Sequence, residues 1–194
     1  DVARGGKDKT IIARRHGMWF DVPMVHPGST TPDGPTVAGL VVAAQRNRCP
    51  VHIDAIGVGA SPYDFLMQSG VQAVGVNVSE SATEMDKSGM LKFYNLRSQI
   101  WWKFREALDP ANNTGICLPP DPILLSELCT PTWKLSGSTI KVASRDEIYE
   151  KLGRSVDYAS AYCLALMDSP NEFLIRATYG KRDRSRDYDP LKSF

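Results

Sequence analysis

The chain has 194 residues, 42% hydrophobic and 23% charged, which suits one globular domain of medium size with a core of its own. A formal net charge of +1 excludes a strongly basic chain that coats nucleic acid, so any DNA-binding surface must come from local clustering. No run of about 18 apolar residues occurs and no basic-then-apolar start resembles a signal peptide, which predicts a soluble protein that is not secreted.

DVAR is followed by a glycine pair, the β-rich run KTIIARRHG and then MWFDVPMVH. These predict a strand and a hairpin ending at Pro27 and Gly28, three antiparallel strands in all. From Pro35 the apolar Val37, Leu40, Val41 and Ala44 recur at i, i+3, i+4 and i+7, the spacing of an amphipathic helix with proline in its first turn. PVHIDAIGV, flanked by Pro50 and Gly57, reads as a buried parallel strand. SPYDFLMQSG predicts a short helix closed by Gly70, and VQAVGVNV the next buried strand, completing a strand-helix-strand unit in a mixed sheet flanked by helices. Leu96, Ile100, Trp101, Phe104 and Leu108 form a core-facing helical stripe, with Arg97, Lys103 and Arg105 on its outer face.

After LPPDP, a helical turn around Leu124 and Leu128 leads to WKLSGSTIKV. Ser136 and Gly137 there suit a hairpin turn, and the hairpin reads as an appendage rather than core. ASRDEIYEKLG predicts a short helix stopped by Gly153. Ser155 is then the expected N-cap of a last helix carrying Tyr158, Ala161, Tyr162, Ala165 and Leu166, with Asp157 in its first turn. Beyond Pro170 the chain turns polar and basic, with Arg176, Lys181, Arg182, Arg184 and Arg186 interleaved with Tyr179 and Tyr188, a composition suited to meeting nucleic acid. The expected organisation is a domain over 1–168 and a basic tail over 169–194. No internal repeat is present.

Cys49, Cys117, Cys129 and Cys163 are widely separated, with no CxxC pair and no histidine at finger-like spacing, so a zinc site is not expected. Each reads as a small buried hydrophobe in a reducing compartment. His52 alternates in register with Asp54 and reads as a structural histidine beside it.

The chemistry-bearing pattern is a set of aspartates at the edges of ordered segments: Asp1 in DVARGGKD, Asp54 in VHIDAIGVGAS and Asp157 in GRSVDYASAY. Three carboxylates from remote parts of one chain are a donor set for a hard cation such as magnesium or manganese. Asp8, past the Gly5-Gly6 turn, offers a fourth oxygen. Taken singly, Asp157 is an ordinary first-turn helix acid and Asp8 an ordinary turn residue. Asp54 is harder to explain that way, because an acid inside VHIDAIGV is costly to bury without a cation. GGKD is not a phosphate loop, since it lacks the leading glycine and the hydroxyl after lysine.

The succession DVARGGKDKT, DAIGVGASPYDFL, GVNVSE, NLRSQIWWKFREAL and SRDEIYEKLGRSVDYASAYCLAL resembles the C-terminal nuclease domain of the large terminase subunit of tailed double-stranded DNA bacteriophages, over nearly all of residues 1–168. The resemblance implies an RNase H-like α/β fold. It also implies a metal-dependent endonuclease that cuts concatemeric viral DNA during packaging, using two Mg2+ or Mn2+ ions. The family's acidic positions fall on Asp1, Asp54 and Asp157, with Asp8 as accessory ligand. The implied partners are double-stranded DNA, an upstream packaging ATPase domain, the portal protein and the small terminase subunit, with no membrane. The implied location is the host cytoplasm, transiently at the procapsid portal.

This chain reads Ser155-Val156-Asp157 where the family usually reads SPD. It also starts on the first acid, several residues after the family's first strand begins, so it is expected to be a fragment. No Walker pattern occurs, and ATP hydrolysis is not expected. DNA contacts are expected from Arg97, Lys141, Arg145, Arg154 and the tail, mainly to phosphates. The hairpin near Ser136 and Gly137 is a candidate gate over the cleft. Two other functions fit less of the pattern: a non-catalytic DNA-gripping or portal-docking module, and another RNase H-like nuclease such as a junction resolvase.

Overall fold

The computed structural model describes residues 1–168 apart from Arg4 and Gly6; the expected basic tail lies outside the described residues. The N-terminal segment folds into four short strands, β1 (Lys9–Ile12), β2 (Arg15–His16), β3 (Trp19–Phe20) and β4 (Met24–Pro27). β1 and β4 pair antiparallel, with Ile11 opposite Val25. Between them β2 and β3 close a tight hairpin, whose turn needs the positive φ of Gly17 (62°), a conformation glycine adopts without steric cost.

Helix α1 (Gly34–Ala44) starts where the Asp33 carboxylate accepts the Thr36 N–H at 2.9 Å, with proline in its first turn, so both preferred start signals are present. Strand β5 (Val51–Asp54), helix α2 (Ala60–Gln68) and strand β6 (Ala73–Val76) form the expected unit, with β5 and β6 parallel and Asp54 opposite Val76. Ile53 packs with Val37, Val41 and Leu66 in one buried cluster.

A two-residue strand, β7 (Lys92–Phe93), precedes α3 (Leu96–Leu108), which Asn95 caps through the Ser98 N–H. Helix α4 (Pro122–Cys129) is capped by Asp121 and followed by β8 (Trp133–Ser136) and β9 (Thr139–Val142). Helices α5 (Arg145–Leu152) and α6 (Asp157–Leu166) complete the described chain. The largest cluster gathers Ile11, Phe20, Phe104, Leu124, Ile148 and Tyr162. Phe20 stacks on Tyr162 with ring centroids 5.5 Å apart, and the Tyr162 hydroxyl donates to the Asp21 carbonyl at 2.6 Å.

The described strands of this mixed α/β fold fall into four small sheets, β1-β4, β2-β3, β5-β6 and β7-β9-β8. A cavity of about 230 Å³ lies between the β1 and β5 segments, lined also by α1 and α6. The appended hairpin has one exposed strand, β8, and one strand, β9, that is tied into the fold. β9 pairs parallel with β7, and Ile140 and Val142 are buried, with Ile140 against Phe93 and Trp102. Ser155 does not cap α6; the cap position is Val156, whose side chain makes no cap bond. Of the cysteines only Cys163 is buried, where burial pushes its thiol pKa up. Among the described residues no helix is long and apolar enough to cross a membrane.

Candidate active site

Asp54 ends β5, and the chain must turn sharply after it to begin α2. The Ile56 N–H donates to Asp54 Oδ1 at 3.1 Å, Gly57 takes a φ of 63°, and Gly59 lies directly under Asp54. A Cβ on Gly59 would stand 1.8 Å from the Asp54 carbonyl oxygen. The glycines of GVGAS therefore let the backbone fold against the Asp54 carbonyl, and the Asp54 side chain is 9% exposed. A buried carboxylate requires a charge partner. Here the partner is a side chain: the Arg145 guanidinium, in the first turn of α5, meets Asp54 Oδ2 at 2.7 Å.

Asp157 opens α6. Its Oδ2 accepts the Lys9 N–H at 3.1 Å, tying the helix start to the start of β1, and its Oδ1 accepts from the Ser155 hydroxyl. Because Val156 supplies no cap, the exposed donors of this helix end need an acceptor from elsewhere. Glu127 of α4 provides it. Its side chain is fully buried, accepts the Ala159 N–H at 2.9 Å and pairs with Arg154. Burial raises the Glu127 pKa, against the opposing pull of the Ala159 N–H and Arg154.

Asp1 exchanges backbone hydrogen bonds with Ile11, both at 3.0 Å, which places it beside β1. Its amino group is pushed down to about 6, first by burial; Asp157 and Asp54 pull in the other direction and Arg145 adds to the lowering. Asp157, Asp54 and Arg145 thus lie within electrostatic reach of the Asp1 amino group, while Asp1 Oδ1 accepts the Val2 N–H at 3.0 Å. Asp8 is exposed just before β1, and its carbonyl accepts the Gly28 N–H at 2.9 Å.

The aspartates do not close into a ligand shell. Among the described residues no group of three or more His, Cys, Asp or Glu could hold a metal ion as arranged. The contacts above give the reason: Asp54 is turned to Arg145, and Asp157 to the Lys9 N–H and Ser155.

The expected DNA-contacting residues divide. Lys141 is exposed, its Nζ 4.6 Å from the Tyr94 ring centroid. Arg145 is more than half exposed although paired with Asp54. Arg154 is committed to Glu127. Arg97 does not stand on an open outer face: it donates to the Ala143 carbonyl and lies 5.3 Å from the Trp101 ring centroid. Burial first, and then Arg145, lower its pKa to about 10. His52 lines the cavity beside β5, where burial and then Arg15 lower its pKa to about 4.

Sequence reasoning missed Glu127 and the pairing of Arg145 with Asp54. The acid in LLSELC looks like the polar face of a short helix, and its partners lie on another segment. The signal that was available for Arg145 was the demand of a strand-embedded Asp54 for a cation.

No protein-family model matches the sequence, and no curated protein matches it. Solved structures do. The nuclease domain of the large terminase subunit gp2 of bacterial virus Sf6 is 19% identical, with 86% of this chain and 85% of that chain covered and a TM-score of 0.64. A point mutant of that domain with manganese and beta-thujaplicinol is 20% identical, covers 86% and 85%, and gives 0.63. A further mutant structure, with calcium, is 20% identical, covers 86% of each chain and gives 0.63. At such identities the likeness establishes the fold, which is the mixed α/β, RNase H-like fold of terminase nuclease domains.

Proposed function

We propose that this chain is the nuclease domain of a bacteriophage large terminase subunit and cuts concatemeric viral DNA during packaging. The observation that carries the reading is a fold like that of terminase nuclease domains, with Asp54 at the end of a strand and Asp157 at the start of a helix. Three carboxylates fit magnesium or manganese by donor type. Asp1, Asp54 and Asp157 are the residues proposed to hold such ions, with Asp8 as an accessory oxygen. Bound ions would supply activation of the attacking water and stabilisation of the leaving oxygen of a phosphodiester. The manganese and calcium of the neighbouring domains support divalent-cation use, and two ions in this chain belong to the proposal.

The protein's own part is positioning and charge balance. The Ile56 N–H and the glycine turn hold the Asp54 backbone, and Arg145 balances its charge. Glu127 and Arg154 fix the start of α6, and with it Asp157. Arg145 is exposed enough to serve a phosphate as well as Asp54, and a guanidinium can hold either anion through paired donors. Double-stranded DNA, an upstream ATPase domain, the portal and the small terminase subunit are the proposed partners, in the host cytoplasm.

A second reading is a DNA-gripping or portal-docking module without catalysis, favoured by the occupation of Asp54 by Arg145. Incubating linear duplex DNA with the purified domain and manganese, beside Asp157→Asn, separates the two. Fragmentation by the wild type and none by the variant supports the nuclease; binding without fragmentation by the wild type supports the second reading.

A further inference from the structure

The β7-β9-β8 sheet has two faces of opposite character. On the inner face Phe93 and Ile140 are buried with Trp102 of α3, and Trp133 meets Trp102 edge-on, centroids 5.0 Å apart. The outer face follows from the register. Lys134 stands opposite Lys141, Ser136 opposite Thr139, and Lys92 opposite Thr139 on the other side. Tyr94 continues β7 beside Lys141, its N–H donating to the Ile140 carbonyl. Side chains alternate faces along a strand, so the outer face presents two rows across three strands, Tyr94, Lys141, Lys134 and Lys92, Thr139, Ser136. Every one of these six can donate a hydrogen bond, three carry positive charge, and no carboxylate lies among them.

Two of these features are unfavourable for the fold alone. Like charges directly opposite on paired strands destabilise a sheet, and Lys134 and Lys141 are such a pair. A lysine on an edge strand is readily explained as protection against edge-to-edge pairing. That explanation suits Lys134 and Lys92 but not Lys141, which sits on the central strand β9. Lys141 is moreover held over the exposed Tyr94 ring, so the cation has a seat. Glu147, whose carboxyl feels both Lys134 and Lys141, is already engaged in the capping box with Ser144 at the start of α5. Three residues beyond β9 the chain reaches Arg145, bonded to Asp54.

We infer that the outer face of this sheet, centred on Lys92, Lys134 and Lys141, is a docking surface for the phosphate backbone of DNA, leading from the hairpin to the Asp54 side of the site. The inference rests on the nuclease reading. The contacts are to phosphate, so they position the duplex without reading its sequence. On the inner side of the hairpin Ile140 and Val142 of β9 are buried, whereas Trp133 and Leu135 of β8 remain exposed.

The test is binding of a labelled duplex, followed by fluorescence anisotropy across a salt series in chelator so that no cutting intervenes. It compares the wild type with single and triple Lys92→Gln, Lys134→Gln and Lys141→Gln variants and with the triple arginine variant. Each single glutamine change should lower the slope of log affinity against log salt by about 1, and the triple change by about 3, with arginine restoring it. The melting temperature shows that each variant is folded, and the exposed single sites keep the comparison available if the triple variant is not. An unchanged slope in folded glutamine variants overturns the surface while leaving the nuclease reading intact. A wild type that neither binds nor cuts DNA overturns both.

Discussion

Replacing Glu127 with alanine and with glutamine separates what its buried side chain does by shape from what it does by charge. In Glu127→Ala the Ala159 N–H at the start of α6 loses its acceptor, which costs about 1–3 kcal/mol. One methylene group, Cγ, leaves the core at ~0.8 kcal/mol. Arg154 is 40% exposed, so loss of that pairing adds at most about 1 kcal/mol after solvent screening. A total of about 3 kcal/mol should lower the melting temperature by roughly 6–12 °C in a domain of this size. In Glu127→Gln the amide oxygen still accepts from Ala159 and no charge is buried, so the change should stay within about 1 kcal/mol.

The pH dependence has a definite sign. Burial holds the Glu127 carboxyl above its ordinary 4.5, so its contribution to stability is full below that ordinary value and is lost as pH rises through the raised one. Glutamine does not titrate. The stability of Glu127→Gln relative to wild type should therefore improve from about pH 4 to about pH 7. Thermal unfolding followed by circular dichroism over that range reads both effects. If Glu127→Ala melts within about a degree of Glu127→Gln, the helix-capping role assigned to this residue is wrong.

Gly59→Ala should destabilise by about 3 kcal/mol or more, because the added Cβ would stand 1.8 Å from the Asp54 carbonyl oxygen; unfolding in urea measures it, and an unperturbed midpoint would refute the account of the GVGAS turn. Arg145→Gln leaves the buried Asp54 carboxylate without its charge partner, so it should cost about 1–3 kcal/mol of stability while removing a cation that competes for Asp54. Manganese affinity by calorimetry should then rise about fivefold, an effect of ~1 kcal/mol; weaker manganese binding in a folded variant would count against competition at Asp54.

What the sequence disclosed and what it concealed follow from the range of the interactions involved. Helices α1 and α3 were legible because Val37, Val41, Ile100 and Phe104 repeat at helical spacing. The β5-α2-β6 unit was legible because two apolar runs flank a short helix closed by Gly70. The turn at Ser136 and Gly137 announced β8 and β9. The pairing of β9 with β7 was hidden, since a two-residue strand carries no periodicity and its partner is remote in sequence. Ser155 looked like a cap because it precedes a helix; its hydroxyl goes instead to Asp157, two residues on.

At the site, the positions of Asp54 and Asp157 at a strand end and a helix start were readable from local pattern. The contacts that orient them, Arg145 on Asp54 and the Lys9 N–H on Asp157, are long-range, and a single sequence offers no pattern for them. Arg154 was read as a DNA contact, mainly to phosphate. The acid it serves is Glu127, whose burial only the packing of α4 against α6 reveals.

The most direct test is conversion of supercoiled plasmid to nicked and linear forms by the purified domain in manganese, in magnesium and in chelator, beside Asp54→Asn. The account predicts cutting that requires the divalent ion and disappears in the variant while its melting profile still shows a folded protein. Cutting that persists in Asp54→Asn, or that proceeds in chelator, would contradict it.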